Sequence, residues 1–249
     1  MVFVRSLLFN AAFYVVTIVL LVGPLPVYFI LPQWFAMGVV RLWASVGIYL
    51  LRVIAGARLD VRGRDNLPPD GGFIVAAKHQ SMFETFALVP LLKNPTFVMK
   101  RQIRWIPIFG QYTIKAGMIH VDRAGKASAL RGLVERAREE LAKGREIIIF
   151  PEGTRRPPGA PPAYRTGIAL LYRALGVPVV PVALNSGRFW ARRRFRRYPG
   201  TIVVEFLPPI APGLQPRAFL DVLEATIETA TAKLVAEADR AAAPNAGPP

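Results

Sequence analysis

The sequence predicts an α/β domain with a mixed, mostly parallel sheet covered by helices, preceded by a membrane-associated helical hairpin at the N-terminus. Three observations predict it. From Ala57 onward, short β-branched runs alternate with helical patterns; ahead of them, no residue between Arg5 and Arg41 is charged; and the chain is both basic and apolar. Over 249 residues, 32 lysines and arginines against 16 acids give a formal charge of +16, with 53% hydrophobic residues and a mean hydropathy of +0.34. Basic charge combined with apolar composition points to an anionic membrane surface. A nucleic-acid binder would account for the charge but not for the charge-free apolar start, so no nucleic-acid partner is expected. The absence of cysteine excludes disulfides, thiolate metal sites and a thiol nucleophile. A chain of this length buries one substantial core. The expected division is membrane-anchoring helices over 1–56, the α/β domain over 57–240 and a disordered tail over 241–249.

The first apolar stretch, SLLFNAAFYVVTIVLLVG (6–23), approaches the span of a hydrocarbon core. Gly23, Pro24, Pro26 and Pro32 then interrupt any continuous helix. This favours a bent hairpin dipping into one leaflet, with a first helix ending near Val22 and a second from about residue 35 to 54 that carries Arg41 and Arg52 towards headgroups. A single spanning helix flanked by Arg5 is the other reading. A signal peptide fits poorly, because the apolar core is too long and no small-residue cleavage site closely follows it.

Beyond the hairpin, FIVAA (73–77), TFVM (96–99), MIHV (118–121), EIIIF (146–150), PVVPVAL (178–184) and TIVVEF (201–206) read as buried strands. The clearest helix covers 126–143, where Ala127, Leu130, Val134, Ala137 and Leu141 share one face and Gly144 provides the stop. Strand order is not readable from these runs. The tail AAAPNAGPP (241–249) has too little apolar content to pack.

Polar residues stand out at the ends of these strands. In HQSMFE (79–84), Ser81 and Glu84 fit a capping box that opens a helix. Residues five apart on a helix differ by about 140°, so His79 must precede that helix for its ring to meet Glu84. A pure helix cap and a His–carboxylate pair for proton transfer are both compatible with this spacing. In IIIFPEGTRR (147–156), a strand runs into a turn shaped by Pro151 and Gly153, bringing Glu152 and Arg155 to the end where α/β proteins bind ligands. The arginine fork suits a phosphate there, while a solvated turn with a surface ion pair is the alternative. Lys100 follows another strand, and Asp122 and Arg123 follow a third. In SGRFWARRRFRRYPG (186–200), six arginines lie among aromatics. Three readings stay open for that stretch: a headgroup-binding loop presenting Phe189, Trp190 and Phe195, an arginine-rich RNA site, or a solvated charge run.

Taken in order, HQSMFE, GMIHVDR (117–123), FPEGTR (150–155) and VPVVPVAL (177–184) resemble the blocks of the glycerolipid acyltransferase family, whose members include lysophosphatidic acid acyltransferases; the resemblance covers about 73–184. Glu84 stands where that family commonly has Asp, and Lys78 where it often has Asn, which puts the geometry of the His–carboxylate pair in question. The resemblance implies a transferase that moves a fatty acyl group from a thioester to the free sn-2 hydroxyl of lysophosphatidic acid, giving phosphatidic acid. It assigns His79 as general base with Glu84 orienting it, Lys100, Arg155 and Arg123 to the acceptor phosphate, and Glu152, Gly153 and Thr154 to the acceptor pocket. Ser81 is expected to be a helix cap rather than a nucleophile. No metal or cofactor is expected, since His79 and His120 lack a ligand cluster. The co-substrate is acyl-acyl-carrier protein or acyl-CoA, and a basic surface suits the acidic carrier. The expected location is the inner, cytoplasmic membrane, with the catalytic domain on the cytoplasmic side and anionic lipids as partners. Glycerol 3-phosphate or lyso-ornithine lipid as acceptor, a non-catalytic lipid-binding protein, and a membrane-tethered nucleic-acid binder are the competing readings.

Overall fold

The computed structural model describes residues 1–28, 30–122 and 126–242. Two long apolar helices come first: α1 (Val2–Val22) and, after a short turn of helix α2 (Leu25–Tyr28), α3 (Gln33–Leu50), which continues as a wider helical turn over Leu51–Ala55. They pack antiparallel, so that Trp43 Nε1 donates to Thr17 Oγ1 at 2.9 Å. A Cβ on Gly47 would stand 2.9 Å from the Phe13 ring, so the crossing depends on glycine at this point. The first helix ends at Val22, and the second starts two residues ahead of the expected Phe35. Gly56, at φ +76°, closes the helical turn in the left-handed conformation that a Cβ disfavours and sends the chain into the sheet.

The sheet has seven strands: β1 (Ala57–Arg62), β2 (Ile74–Ala77), β3 (Pro95–Lys100), β4 (Ile119–Val121), β5 (Glu146–Ile149), β6 (Val179–Leu184) and β7 (Gly200–Phe206). Their spatial order is β1-β7-β6-β2-β5-β3-β4, and every neighbouring pair is parallel except β6 and β7. In register, Val75 of β2 lies beside Val180 of β6 on one side and Ile148 of β5 on the other. The central strands are apolar on both sides because helices cover both faces. Ile74, Ala76, Ile147, Ile149 and Val179 meet α6 (Lys126–Ala142), α7 (Gly167–Leu175) and the long C-terminal α9 (Pro216–Ala242). Val75, Ala77, Ile148, Val180 and Val182 instead meet α4 (Phe83–Ala87) and the inner side of the N-terminal hairpin. Pro181 is tolerated in a central strand because its carbonyl, and hence its missing N–H, lies on the side of β7, whose ladder with β6 begins only at Val182.

All six expected strands are present. β1 was not among them: its alternation of Leu59 and Val61 with Arg58, Asp60 and Arg62 is that of a half-exposed edge strand rather than a buried run. The expected helix over 126–143 ends at Ala142, with Gly144 at φ +70° behind it, and Leu133 joins its buried face. Ala241 and Ala242 extend α9 and do not belong to a tail; the remainder of the expected disordered segment lies outside the described residues.

One expectation about the hairpin and one reading of the 186–200 stretch need correction. Arg41 does not reach for headgroups: its guanidinium donates to the carbonyls of Val89 (3.3 Å), Leu92 (3.0 Å) and Lys93, which the chain leaves open after α4. Nor do Phe189 and Trp190 face outward. Trp190 is 5% exposed, packs edge-on against Phe9 and Phe13, and carries the Arg197 guanidinium 4.3 Å above its ring. Arg197 in turn donates to Asn10 Oδ1 at 3.1 Å, and its amide donates to Ser6 Oγ at 2.8 Å. The basic segment therefore clamps α1 to the sheet domain, leaving Phe195 and Arg192, Arg193, Arg194 and Arg196 exposed.

Candidate active site

The parallel block brings together residues far apart in the chain. The C-terminal ends of β2, β5, β3 and β4 line one edge in that order, so His79, the turn after β5, Lys100 and Asp122 become neighbours. At ~4.8 Å per strand, the ends of β2 and β3 stand about 10 Å apart. The first two segments are bonded directly, since the Arg156 amide donates to the His79 carbonyl at 2.8 Å.

His79 lies two residues beyond the end of β2, in the loop ahead of α4, and its ring meets the carboxylate of Glu84. The Nδ1···Oε1 distance is 3.0 Å, so the extra methylene of Glu does not prevent the pairing. Glu84 is fully buried, and the same Oε1 accepts the amides of Gln80 and Ser81, each at 2.6 Å, while Oε2 accepts Ser186 Oγ at 2.7 Å. The helix cap and the His–carboxylate pair are thus one arrangement. With Nδ1 donating to this carboxylate, the neutral imidazole keeps its lone pair on Nε2. Nε2 has no hydrogen bond among the described residues, and the ring lies flat on Phe150, centroid to centroid 3.9 Å. Ser81 is buried and its Oγ accepts the Phe83 amide at 3.1 Å, the role of a cap and not of a nucleophile.

In the turn after β5, Gly153 sits at φ +65°, a backbone conformation that favours glycine, and its amide returns to the Phe150 carbonyl at 2.9 Å. Thr154 and Arg155 are half-buried beside it. Burial pushes the Arg155 guanidinium below its ordinary range; the nearby Glu84 charge pulls it up and Arg192 pushes it further down. Among the described residues no carboxylate hydrogen-bonds Arg155, so it is a desolvated cation with its donors available to an anion. Glu152 forms no surface pair with Arg155, which removes the solvated-turn alternative. It is 2% exposed, with Lys78 Nζ 3.1 Å and Arg156 Nε 3.6 Å from its Oε1, and burial raises its carboxyl above the usual range despite Lys78.

Lys100 is exposed at the end of β3, and Asp122 pairs with Arg101 at 3.0 Å. Arg123 lies outside the described residues. His120 is turned to Thr113 Oγ1 of helix α5 (Phe109–Lys115) at 3.0 Å, and burial, assisted by Arg104, lowers its pKa. Ser186 and Gln80 were not singled out by sequence. Gln80 Oε1 accepts the Gly187 amide at 3.0 Å, and together these contacts seat α8 (Ser186–Phe189) on the His79 loop. Ser186 is 102 positions from Glu84, which left no local signal to find it.

The pattern of the family described as Acyltransferase matches residues 58–185. Over 185 residues, 74% of this chain and 72% of the relative, the sequence is 38% identical to a 1-acyl-sn-glycerol-3-phosphate acyltransferase of Pseudomonas aeruginosa. It is 29% identical over 169 residues to the human 1-acyl-sn-glycerol-3-phosphate acyltransferase alpha, covering 67% of this chain and 60% of the relative. The fold is shared with the crystal structure of a 1-acyl-sn-glycerophosphate acyltransferase from Thermotoga maritima, at a TM-score of 0.78, 23% identity, and coverage of 94% of this chain and 98% of that one.

Proposed function

The chain belongs to the Acyltransferase family, and from that premise we propose that it acylates the sn-2 hydroxyl of lysophosphatidic acid, yielding phosphatidic acid. The observation that carries the reading is the buried Glu84 holding His79 by Nδ1, with Nε2 unpartnered on the same edge as Arg155. Nε2 removes the hydroxyl proton as the oxygen attacks the thioester carbonyl, and Glu84 compensates the imidazolium. Collapse of the tetrahedral adduct breaks the carbon–sulfur bond, and the imidazolium returns its proton to the departing thiolate. No acyl-enzyme is formed, and the reaction calls for no metal. Arg155 binds the acceptor phosphate, helped by Lys100 and Arg123, within a pocket shaped by Glu152, Gly153 and Thr154. Acyl-acyl-carrier protein or acyl-CoA donates the chain.

The same reading puts the enzyme on the inner membrane, facing the cytoplasm. The helical stretches Val2–Val22 and Gln33–Ala55 are long and apolar enough to cross a bilayer, yet Phe9, Phe13 and Leu21 are buried against the rest of the protein. Helices committed along one side to a protein core favour a hairpin lying in one leaflet. Phe3, Leu7, Tyr14, Val15 and Ile18, each at least half exposed, then meet lipid, while Phe195, its ring tilted against that of Phe3 with centroids 5.2 Å apart, brings the exposed arginines of its loop to anionic headgroups.

Acyl transfer from a labelled thioester to lysophosphatidic acid, with purified protein in detergent, tests the chemistry. Wild type is expected to make phosphatidic acid, His79→Ala to lose ~10²–10⁴-fold in rate, and Arg155→Ala to raise the acceptor KM. Turnover on a phosphate-free lysolipid alone would overturn the acceptor assignment, and equal activity of His79→Ala and wild type would overturn the mechanism.

A further inference from the structure

One buried charged group has no part in the chemistry above. Successive residues of an extended chain point to opposite faces, so Lys78 turns away from His79, onto the side of the sheet that carries α9. Its side chain is 3% exposed, and its ammonium donates to Glu152 Oε1 at 3.1 Å and to Glu228 Oε1 at 2.7 Å. Tyr164 Oη donates to the same Glu228 oxygen at 2.9 Å. The Lys78 amide donates to the Val182 carbonyl at 2.9 Å, so the backbone that carries this side chain is tied to β6. Three segments therefore converge on one ammonium: the end of β2, the turn after β5, and a helix lying outside the 58–185 family match.

The charge balance makes the ammonium indispensable to this arrangement. Glu152 is buried with one oxygen, Oε2, left without a hydrogen bond among the described residues, and Glu228 is near enough for its charge to oppose ionisation of Glu152. Without Lys78, two carboxylates would face each other in a poorly solvated site, and removing one partner of a buried pair costs far more than the pair itself contributes. The turn that would give way also holds the site: Arg156 donates its amide to the His79 carbonyl, and the Arg165 amide returns to the Pro151 carbonyl at 3.0 Å.

We propose that Lys78 and Glu228 are positioning residues: the C-terminal helix, through Glu228, holds Lys78, which pins Glu152 and keeps the 151–156 turn, and with it Arg155, in register with His79. The inference rests on the reading of Arg155 as the phosphate ligand.

The test compares wild type with Lys78→Met, Lys78→Arg, Glu228→Gln and the Lys78→Met/Glu228→Gln double variant, as full-length protein in detergent. Two readouts are taken: kcat and KM for lysophosphatidic acid, and hydrogen exchange of the 150–166 amides by mass spectrometry. Loss of the ammonium is expected to raise KM about tenfold or more with a smaller fall in kcat, and to speed exchange of 150–166 by a similar factor, as befits loss of a buried pair. Lys78→Arg, which keeps the charge, is expected to restore most of both. Glu228→Gln alone should loosen the turn less than Lys78→Met, and adding it to Lys78→Met should recover part of the loss by removing the like charge. If Lys78→Met lowers only the unfolding midpoint, with KM and exchange of 150–166 as in wild type, Lys78 is a packing residue and the proposal fails. If wild type does not use lysophosphatidic acid but exchange responds as described, the acceptor assignment fails and the clamp on the turn stands. Should Lys78→Met not fold, unchanged exchange and KM in Glu228→Gln would overturn the link to α9.

Discussion

Glu84 Oε1 serves two amides and an imidazole at once, so its removal and that of His79 should be distinguishable. His79→Ala removes a ring that is 12% exposed and leaves the cap in place; activity is expected to vanish while the thermal unfolding midpoint stays near wild type. Glu84→Ala leaves the buried Gln80 and Ser81 amides without an acceptor, at ~1–3 kcal/mol each. It is therefore expected to lose activity and ~2–5 kcal/mol of stability together, as measured by denaturant unfolding alongside the acyl-transfer assay. Both residues were legible because the pairing is local: a strand end, a turn and the first helical turn lie within six residues. The pairing of Lys78 with Glu152 was not, because the two are 74 positions apart and meet only when β2 and β5 pair.

At the scale of elements, one side of α1 packs into the core. Phe13 is 4% exposed and its ring touches those of Phe9, Trp43, Phe86 and Trp190. Phe13→Ala is expected to cost ~3–5 kcal/mol, measured by unfolding in detergent; an unchanged midpoint would mean that α1 is only a lipid-facing anchor. The end of α6 offers a pH test. Glu140 is 2% exposed; burial raises its carboxyl, but hydrogen bonds from Lys143 (2.7 Å) and Arg145 (2.6 Å) outweigh that and hold it below the ordinary range. A folded pKa below the unfolded one stabilises above the unfolded value, roughly 4.3, and that stability is lost as pH falls through the folded value. Glu140→Gln should therefore destabilise the protein at pH 7, and its difference from wild type should shrink below about pH 4 in an unfolding series.

For the whole molecule, the hairpin and the basic segment form one surface: α1 bears the exposed apolar side chains and the 192–196 loop bears the exposed arginines beside them. Near an anionic bilayer each such arginine is worth ~1 kcal/mol. Replacing Arg192, Arg193, Arg194 and Arg196 together by Gln should weaken sedimentation with phosphatidylglycerol-containing vesicles by about two to three orders of magnitude, and leave binding to zwitterionic vesicles little changed. Equal loss on both vesicle types would reassign the loop to packing alone. Composition could not divide this segment correctly, because a buried aromatic and a membrane-facing one read alike: Trp190 and Phe195 are five residues apart, yet the first is core and the second is surface.

By itself the sequence determined what depends on neighbours in the chain: the two apolar helices broken at Gly23 and Pro24, the six buried strands, the Gly144 stop, and the placing of His79 ahead of the helix that Glu84 opens. Propensity, periodicity and capping act over a few residues, so they can be read without a fold. Only the tertiary structure decided the strand order, the reversed β1–β7 edge, the seating of Ser186 on Glu84, the turning of Arg41 to the carbonyls after α4, and the burial of Lys78 between Glu152 and Glu228. Each joins residues dozens of positions apart, and a buried charge is tolerated only where a distant partner meets it, which no local pattern records.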